Sequence, residues 1–97
     1  MSYANPIQRQ DLISGLRELA DFLESNPEVP APPGITAYVF PPKAANAEMR
    51  REINAIASRI GSGTTTRPEC LHYVTSRSFG GIEYRAVAIP AEPAKEA

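Results

Sequence analysis

The chain has 97 residues and a formal net charge of −1, and its apolar and charged fractions, 42% and 22%, are typical of a globular domain. These values exclude a fibrous or fully disordered chain, and the near-neutral charge excludes a global field that would attract nucleic acid or an anionic membrane. Because no apolar stretch is long enough to span a bilayer and the N-terminus lacks a signal-peptide pattern, we expect a soluble cytoplasmic protein with no membrane contact. The single cysteine, Cys70, cannot form an intramolecular disulfide, which is typical of a reducing compartment.

The first predicted element is an amphipathic helix from about Pro6 to Glu24. Asn5 is a typical N-cap, because its side chain accepts a hydrogen bond from a free backbone N–H, and proline suits the first helical position. Leucines at helical spacing form the apolar stripe of this helix: Leu12, Leu16, Leu19 and Leu23. Asn26 precedes a proline and ends the helix. Residues 27–34 contain four prolines and predict an extended connector.

A short strand and a second helix follow. The run 35–40 is rich in β-branched and aromatic residues and predicts a strand that ends at two prolines. The second helix begins at Lys43 or Asn46 and presents apolar residues at positions i, i+4, i+7 and i+11: Met49, Ile53, Ile56 and Ile60. Gly61 stands where a left-handed C-terminal cap is expected. Residues 61–68 predict a flexible loop.

Two further strands are predicted, from about Cys70 to Phe79 and from Ile82 to Ile89. Gly80–Gly81 joins them, since two glycines supply the positive φ of a tight hairpin turn. Pairing around that turn sets Val74 opposite Val87 and His72 opposite Ile89.

The two faces of this hairpin differ in apolar content. One face is expected to pack against the helices. It holds Leu71, Tyr73, Phe79, Ile82, Tyr84, Ala86 and Ala88. The other face carries a smaller apolar patch made of Val74, Val87 and Ile89. The sequence alone does not decide whether this second face is exposed or covered.

The element order α-β-α-β-β predicts one α+β domain over residues 1–89 and a disordered tail over residues 90–97. Both helices are expected on one face of a three-stranded mixed sheet, which makes a two-layer sandwich. The crossover through the second helix leaves two strand orders open. We favour the one with the first strand beside the last, in which the first and second strands run parallel.

Two stretches of the chain resemble small proteins of actinobacteria and their phages. The run Leu12–Glu24 with its proline-rich exit resembles the opening of those proteins, and the run Phe79–Pro90 resembles their ending. They are a family of uncharacterised proteins. The resemblance therefore implies a bacterial or phage cytoplasmic setting and no functional residue.

Cys70 and His72 are the residues most suggestive of catalysis, since a thiol beside an imidazole is a typical nucleophile. Same-face neighbours on a strand lie roughly 6–7 Å apart, however, which is too far for a direct hydrogen bond. Two such residues also do not complete a zinc site. The glycine-rich run 61–65 follows a helix, whereas a phosphate-binding loop precedes one. We therefore predict no enzyme, no metal and no cofactor, and a small Cys/His enzyme is the last of three hypotheses.

The leading hypothesis is a non-enzymatic protein–protein interaction module, bound to a second copy or to a protein partner through Val74, Val87 and Ile89. The alternative is a nucleic-acid-associated accessory protein. Residues 43–85 contain seven basic and four acidic side chains. Within this segment, the second helix carries a candidate basic patch of Arg50, Arg51 and Arg59. The interleaved glutamates favour an ordinary solvated helix face over such a patch.

Overall fold

The computed structural model describes residues 3–91 of the chain, which has an α+β fold. Its elements are α1 (Pro6–Ser25), β1 (Ile35–Val39), α2 (Asn46–Ile60), β2 (Thr65–Thr66), β3 (Tyr73–Phe79) and β4 (Ile82–Ala88). The described residues form two compact units, Ala4–Pro33 and a unit of Tyr3 with residues 34–91. The single domain over residues 1–89 stays a prediction, and most of the predicted disordered tail, 92–97, lies outside the described residues.

Helix α1 begins and ends close to where the sequence predicts. Asn5 and Gln8 form a reciprocal capping box: the Asn5 side chain accepts from the Gln8 backbone N–H at 2.7 Å, and the Gln8 side chain accepts from the Asn5 backbone N–H at 3.0 Å. At the other end, the backbone and side-chain amides of Asn26 donate to the carbonyl of Phe22. Within the described range, neither helix is both long and apolar enough to cross a membrane.

The four strands form one mixed sheet in the order β1-β4-β3-β2. Strands β3 and β4 make the predicted hairpin, and all of their observed pairs have the predicted register, including Val74 opposite Val87. Gly80 in the turn has a φ of 63°, the positive value that a tight hairpin turn requires. The predicted pair of His72 with Ile89 lies just beyond the ladder.

The position of β1 beside the last strand is confirmed, but its predicted direction is wrong. Strand β1 runs parallel to β4, and β4 is antiparallel to β3, so β1 and β3 are antiparallel. The reason is that the predicted flexible loop over residues 61–68 contains strand β2, which pairs antiparallel with β3. This strand adds one reversal of chain direction between α2 and β3. The sheet therefore has four strands rather than three.

The chain turns sharply between β2 and β3, so β3 begins at Tyr73 and not at Cys70. Arg67 closes this turn, because its carbonyl accepts from the N–H groups of Cys70 and Leu71, at 3.3 and 2.6 Å, and its own N–H donates to His72. Leu71 has a φ of 60°, which is uncommon for a residue with a bulky side chain. Its side chain is 53% exposed rather than covered by a helix as predicted.

Helix α2 packs on the sheet face that the sequence marks as the more apolar one. Met49 and Ile53 form a buried cluster with Ala86 and Ala88 of β4. The packing is close because two alanines of the central strand face two large side chains of the helix. Partly buried residues complete the cluster: Val39, Ile56, Tyr73 and Tyr84. The placement of α1 on the same face stays a prediction.

The cover provided by α2 does not reach the hairpin turn. Phe79 and Ile82 were predicted on the covered face, yet they are 54% and 39% exposed. They lie on the correct face but at the far end of the strands from Ala88. Gly61 ends α2 as predicted, with a φ of 68°, and the N–H of Ser62 donates to the carbonyl of Ala57 at 2.9 Å.

Tyr3 makes a long-range contact with α2. Its hydroxyl donates to the Glu52 carboxylate at 3.0 Å. Partial burial of the phenol raises the pKa of Tyr3 well above its ordinary value of 10.0, and the hydrogen bond to Glu52 and the negative charge of that residue act in the same direction.

The core cluster depends on Ile53, which is fully buried. Ile53→Ala removes a side chain that is 0% exposed, so the loss of its apolar contacts and the resulting cavity are expected to lower the free energy of unfolding by about 2–5 kcal/mol. Equilibrium denaturation in urea measures this change. Arg59→Ala, at an exposed site on the same helix, is the control and is expected to change stability by no more than ~0.5 kcal/mol. Equal effects of the two variants would contradict the assigned core.

The ionisation of Tyr3 makes the free energy of unfolding depend on pH. Since the pKa of Tyr3 is raised in the folded state, the folded protein holds this proton more tightly than the unfolded chain. The stabilisation is fully present below pH 10 and is lost as the pH rises through the raised folded-state value. The free energy of unfolding should therefore fall more steeply above pH 10 in the wild type than in Tyr3→Phe. Parallel pH profiles of the two proteins would contradict the Tyr3–Glu52 contact.

Candidate binding groove

The face of the sheet opposite α2 is only partly exposed. Val74 and Val87 face each other across the hairpin and are buried, with 7% and 6% of their surfaces accessible, whereas Ile89 is 46% exposed. The sequence left open whether this face is exposed or covered. In the structure, two of the three predicted interaction residues, Val74 and Val87, are buried. These two valines form the floor of a groove rather than a flat apolar patch.

The reverse-face groove has a volume of about 410 Å³. It combines an aromatic pair, two arginines, a cysteine and a histidine around the apolar floor. Its lining residues are Tyr38, Phe40, Arg67, Cys70, His72, Val74, Arg85, Val87 and Ile89. All of them belong to the unit of residues 34–91.

Strand β1 and the residue that follows it provide the aromatic wall of the reverse-face groove. Tyr38 and Phe40 are two residues apart in extended chain, so both side chains project from the same face of the sheet. Their ring centroids are 6.0 Å apart and their planes differ by 7°. The rings are 59% and 37% exposed, respectively. The groove therefore presents accessible aromatic surface.

Arg85 lies at the centre of the face. It is opposite Tyr38 in the parallel ladder and opposite Ser76 in the antiparallel one, which places all three side chains on one side of the sheet. Its Nη2 atom donates to the Glu83 carboxylate at 2.9 Å, and both side chains are about one quarter exposed, 26% and 27%. Its Nε atom is buried and has no acceptor among the described residues. A buried donor without an acceptor is unfavourable, because it has lost its water without gaining a partner.

A second cavity adjoins the reverse-face groove. This hydroxyl groove has a volume of about 550 Å³ and shares Arg67, Val74 and Arg85 with the first. The rest of its wall is the segment 62–69 with Thr75 and Ser76. Hydroxyl groups are abundant there, from one serine and three threonines of the segment: Ser62, Thr64, Thr65 and Thr66.

Two side-chain hydrogen bonds hold the wall of the hydroxyl groove against β3. The hydroxyl of Ser62 donates to the carbonyl of Ser76 at 2.7 Å. Thr75, with 2% of its surface accessible, donates to the carbonyl of Gly63 at 2.8 Å. The segment that the sequence predicts as a flexible loop is therefore tied to the sheet by side chains as well as by β2.

Arg67 stands where the two grooves meet. Its Nη2 atom is 3.5 Å from the Glu69 carboxylate, and the two side chains are 48% and 67% exposed. A hydrogen bond from the backbone N–H of Glu69 itself lowers the pKa of that carboxyl, and Arg67 lowers it further. An ion pair this long and this exposed contributes little stability, so it leaves the Arg67 guanidinium able to bind another anion.

Cys70 and His72 both line the reverse-face groove and lie just before β3. Cys70 is an exposed free thiol in the turn closed by Arg67. Leu71 lies between the two residues and has a positive φ, so they do not alternate as neighbours on a strand would. Among the described side chains, no hydrogen bond joins the thiol to the imidazole.

The three arginines of the predicted basic patch do not share one side of α2. Arg50 and Arg59 are nine positions apart, which corresponds to a rotation of about 180° around a helix. Arg50 lies over the ring of Tyr73, with its Cζ atom 4.6 Å from the ring centroid, so this cation packs against the protein. None of the three lines either groove.

Sequence reasoning did not assign four residues of the reverse-face groove to a site: Tyr38, Phe40, Arg67 and Arg85. A signal was present for two of them, because strand alternation places Tyr38 and Phe40 on one face of the predicted strand. Which residues they meet depends on the parallel pairing of β1 with β4, and nothing local in the sequence specifies that pairing. The conformation of the segment around Arg67 is likewise set by contacts with β3.

Comparisons of the chain with protein-family models, with curated proteins and with solved structures find no match. The actinobacterial or phage setting and the cytoplasmic location stay predictions.

Proposed function

We propose that this protein is a non-enzymatic protein–protein interaction module that self-associates through the leucine stripe of α1, made of Leu12, Leu16, Leu19 and Leu23. The observation that carries the proposal is that this helix has no buried residue. Leu12, Leu16 and Leu19 are 57%, 43% and 41% exposed, and Phe22 beside them is 50% exposed.

The unit Ala4–Pro33 cannot bury this stripe by itself. It contains one helix and a proline-rich exit, and an apolar helix face needs a second layer of structure to cover it. In proteins, most of the stability of an amphipathic helix comes from the packing of its apolar face rather than from intrinsic propensity. The stripe therefore needs a partner surface outside its own unit.

The spacing of the stripe favours another copy of the same helix. Its leucines are separated by four, three and four residues, which is the spacing of the seam in a two-stranded coiled coil. The acidic side chains Glu18, Asp21 and Glu24 fall outside this seam, so pairing two stripes does not bury a carboxylate. A two-fold dimer also presents one patch to itself, which requires no second protein.

The second unit has an exposed apolar row of its own. Ile35, Ile82 and Phe79 lie side by side on β1, β4 and β3, and they are 36%, 39% and 54% exposed. Exposed apolar residues in a contiguous row are typical of protein contact sites. This row supports an interaction role that does not depend on Val74 and Val87, which are the two buried residues of the interaction surface predicted from the sequence.

The self-association is tested by measuring mass in solution. Sedimentation or light scattering of the wild type at micromolar concentration is expected to give twice the 10.5 kDa of the chain. The double variant Leu16→Glu/Leu19→Glu is expected to be monomeric, since each glutamate would have to lose its water in the dimer seam. Its sheet should remain folded, because the core cluster of the second unit is formed by residues of α2 and of the sheet.

The matched control adds the same two charges to the polar side of the helix. Gln10→Glu/Ser14→Glu is expected to remain dimeric, because both positions lie away from the leucine stripe and are exposed. A monomeric wild type, with stability lost in Leu16→Glu/Leu19→Glu, would mean that the stripe is covered within one chain and would overturn the proposal. A dimer in all three proteins would overturn the assignment to α1.

A non-enzymatic role is supported by the placement of Cys70. Its thiol is exposed in a turn, and among residues 3–91 no base is hydrogen-bonded to it as an activated nucleophile requires. Cys70→Ala is therefore expected to leave the fold and the dimer unchanged, as read from circular dichroism and from mass in solution. A cellular phenotype that is lost in Cys70→Ala while the dimer persists would contradict this role and favour the Cys/His enzyme.

A further inference from the structure

We infer that the reverse-face groove and the hydroxyl groove together bind a nucleotide, either free or as a unit of single-stranded nucleic acid. The two cavities meet at Arg67, Val74 and Arg85, and their volumes of about 410 and 550 Å³ are in the range of small-molecule sites. Nucleotide binding does not rest on the proposed self-association, because every residue that lines the two cavities belongs to the unit of residues 34–91.

The reverse-face groove is suited to a planar base. Tyr38 and Phe40 present nearly parallel rings, and the side chains of Val74 and Val87 form an apolar floor beside them. Exposed aromatic rings on a sheet face are the usual surface on which bases of single-stranded nucleic acid stack. Because every base has an aromatic face, such stacking discriminates poorly between bases.

The junction of the two grooves is suited to a phosphate. Arg67 and Arg85 both line it, and a planar guanidinium donates two parallel hydrogen bonds to phosphate oxygens. The Arg67 ion pair is long and exposed, so a phosphate can replace Glu69 at little cost. In Arg85, a rotation of the guanidinium towards a ligand would give the buried Nε donor the acceptor that it lacks.

The hydroxyl groove continues from this junction with polar groups that can extend the contacts of a phosphate held by the arginines. Thr65 is opposite Val74 in the ladder, so its hydroxyl lies on the same side of the sheet as Arg85 and can donate to a phosphate oxygen. The hydroxyls of Ser62 and Thr64 are already bonded, to the carbonyl of Ser76 and to the Tyr73 hydroxyl. A base on the aromatic wall, the ribose between that wall and the arginines, and a phosphate held by the arginines and the hydroxyl groove thus account for all three kinds of lining. An acidic peptide would use the arginines and leave the aromatic wall without a partner.

The local charge predicts how the site responds to salt. Glu69 and Glu83 stand beside the two arginines, so the grooves carry no large excess of positive charge. The logarithm of the binding constant is therefore expected to fall with the logarithm of the salt concentration by about the amount that one phosphate contact gives. A basic nucleic-acid surface, which contacts many phosphates, gives a much steeper dependence. This distinguishes the groove from the basic helix patch of Arg50, Arg51 and Arg59.

The test measures binding by calorimetry or tyrosine fluorescence with four probes: adenosine monophosphate, adenosine, inorganic phosphate and short single-stranded oligonucleotides. The nucleotide is expected to bind more tightly than adenosine, which lacks the anion, and than phosphate, which lacks the ring. Oligonucleotides that bind no more tightly than the mononucleotide identify a free nucleotide as the ligand. Much tighter oligonucleotide binding identifies single-stranded nucleic acid.

Variants assign the binding to the groove. Tyr38→Ala removes a stacking ring and is expected to weaken nucleotide binding about 5- to 150-fold. Phe79→Ala is its control, because Phe79 is a similarly exposed ring on the opposite face of the sheet and should leave binding unchanged. Arg67→Gln is expected to weaken nucleotide and phosphate binding and to spare adenosine, whereas Arg59→Gln should change none of them.

Cys70 supplies a second measurement on the unmodified chain. It lines the reverse-face groove and its thiol is exposed, so a bound nucleotide should slow its reaction with a bulky maleimide. The inference is overturned if none of the probes binds, if phosphate alone binds as tightly as the nucleotide, or if Tyr38→Ala and Phe79→Ala bind alike. Unchanged labelling of Cys70 at saturating nucleotide would also overturn the location.

Discussion

The register of β3 against β4 determines both faces of this sheet. Side chains alternate along a strand, so a slip of one residue would exchange every inward side chain for an outward one. In the observed register, Ala86 and Ala88 lie beneath Met49 and Ile53 of α2, and Arg85 projects from the other face. The Gly80–Gly81 turn sets this register locally, and the small alanines let the helix approach closely. The core and the groove are therefore two consequences of one strand pairing.

The groove depends on a second feature, the path of the chain between α2 and β3. Strand β2, the side-chain bonds from Ser62 and Thr75, and the turn closed by Arg67 bring this segment to the sheet. Without them, Val74 and Val87 would be an open apolar patch, as the sequence-based interaction hypothesis requires. With them, the valines become the floor of a cavity, and Arg67 comes to the same site as Arg85 and Tyr38. The conformation of this segment therefore buries the predicted apolar surface of Val74 and Val87 and forms the reverse-face groove above it.

The two proposals use separate parts of the molecule and have different physical origins. Self-association rests on an apolar helix face that its own unit cannot cover, and nucleotide binding rests on aromatic and cationic groups converging from β1, β4 and the segment before β3. Mutations in the leucine stripe and in the groove should therefore act independently. A protein with both properties would be a dimeric ligand-binding module, with one groove in each copy.

Much of the local structure could be predicted from the sequence. The start of α1 follows from Asn5 and Pro6, the end of α2 from Gly61, and the hairpin register from Gly80–Gly81, because each depends on residues that are close in the chain. The α+β fold and the helix-covered face likewise follow from apolar spacing. The direction of β1, the existence of β2, the burial of Val74 and Val87, and the meeting of Arg67 with Tyr38 required the tertiary structure. These features join segments that are far apart in the chain, so the packing of the whole sheet decides them and no local pattern does.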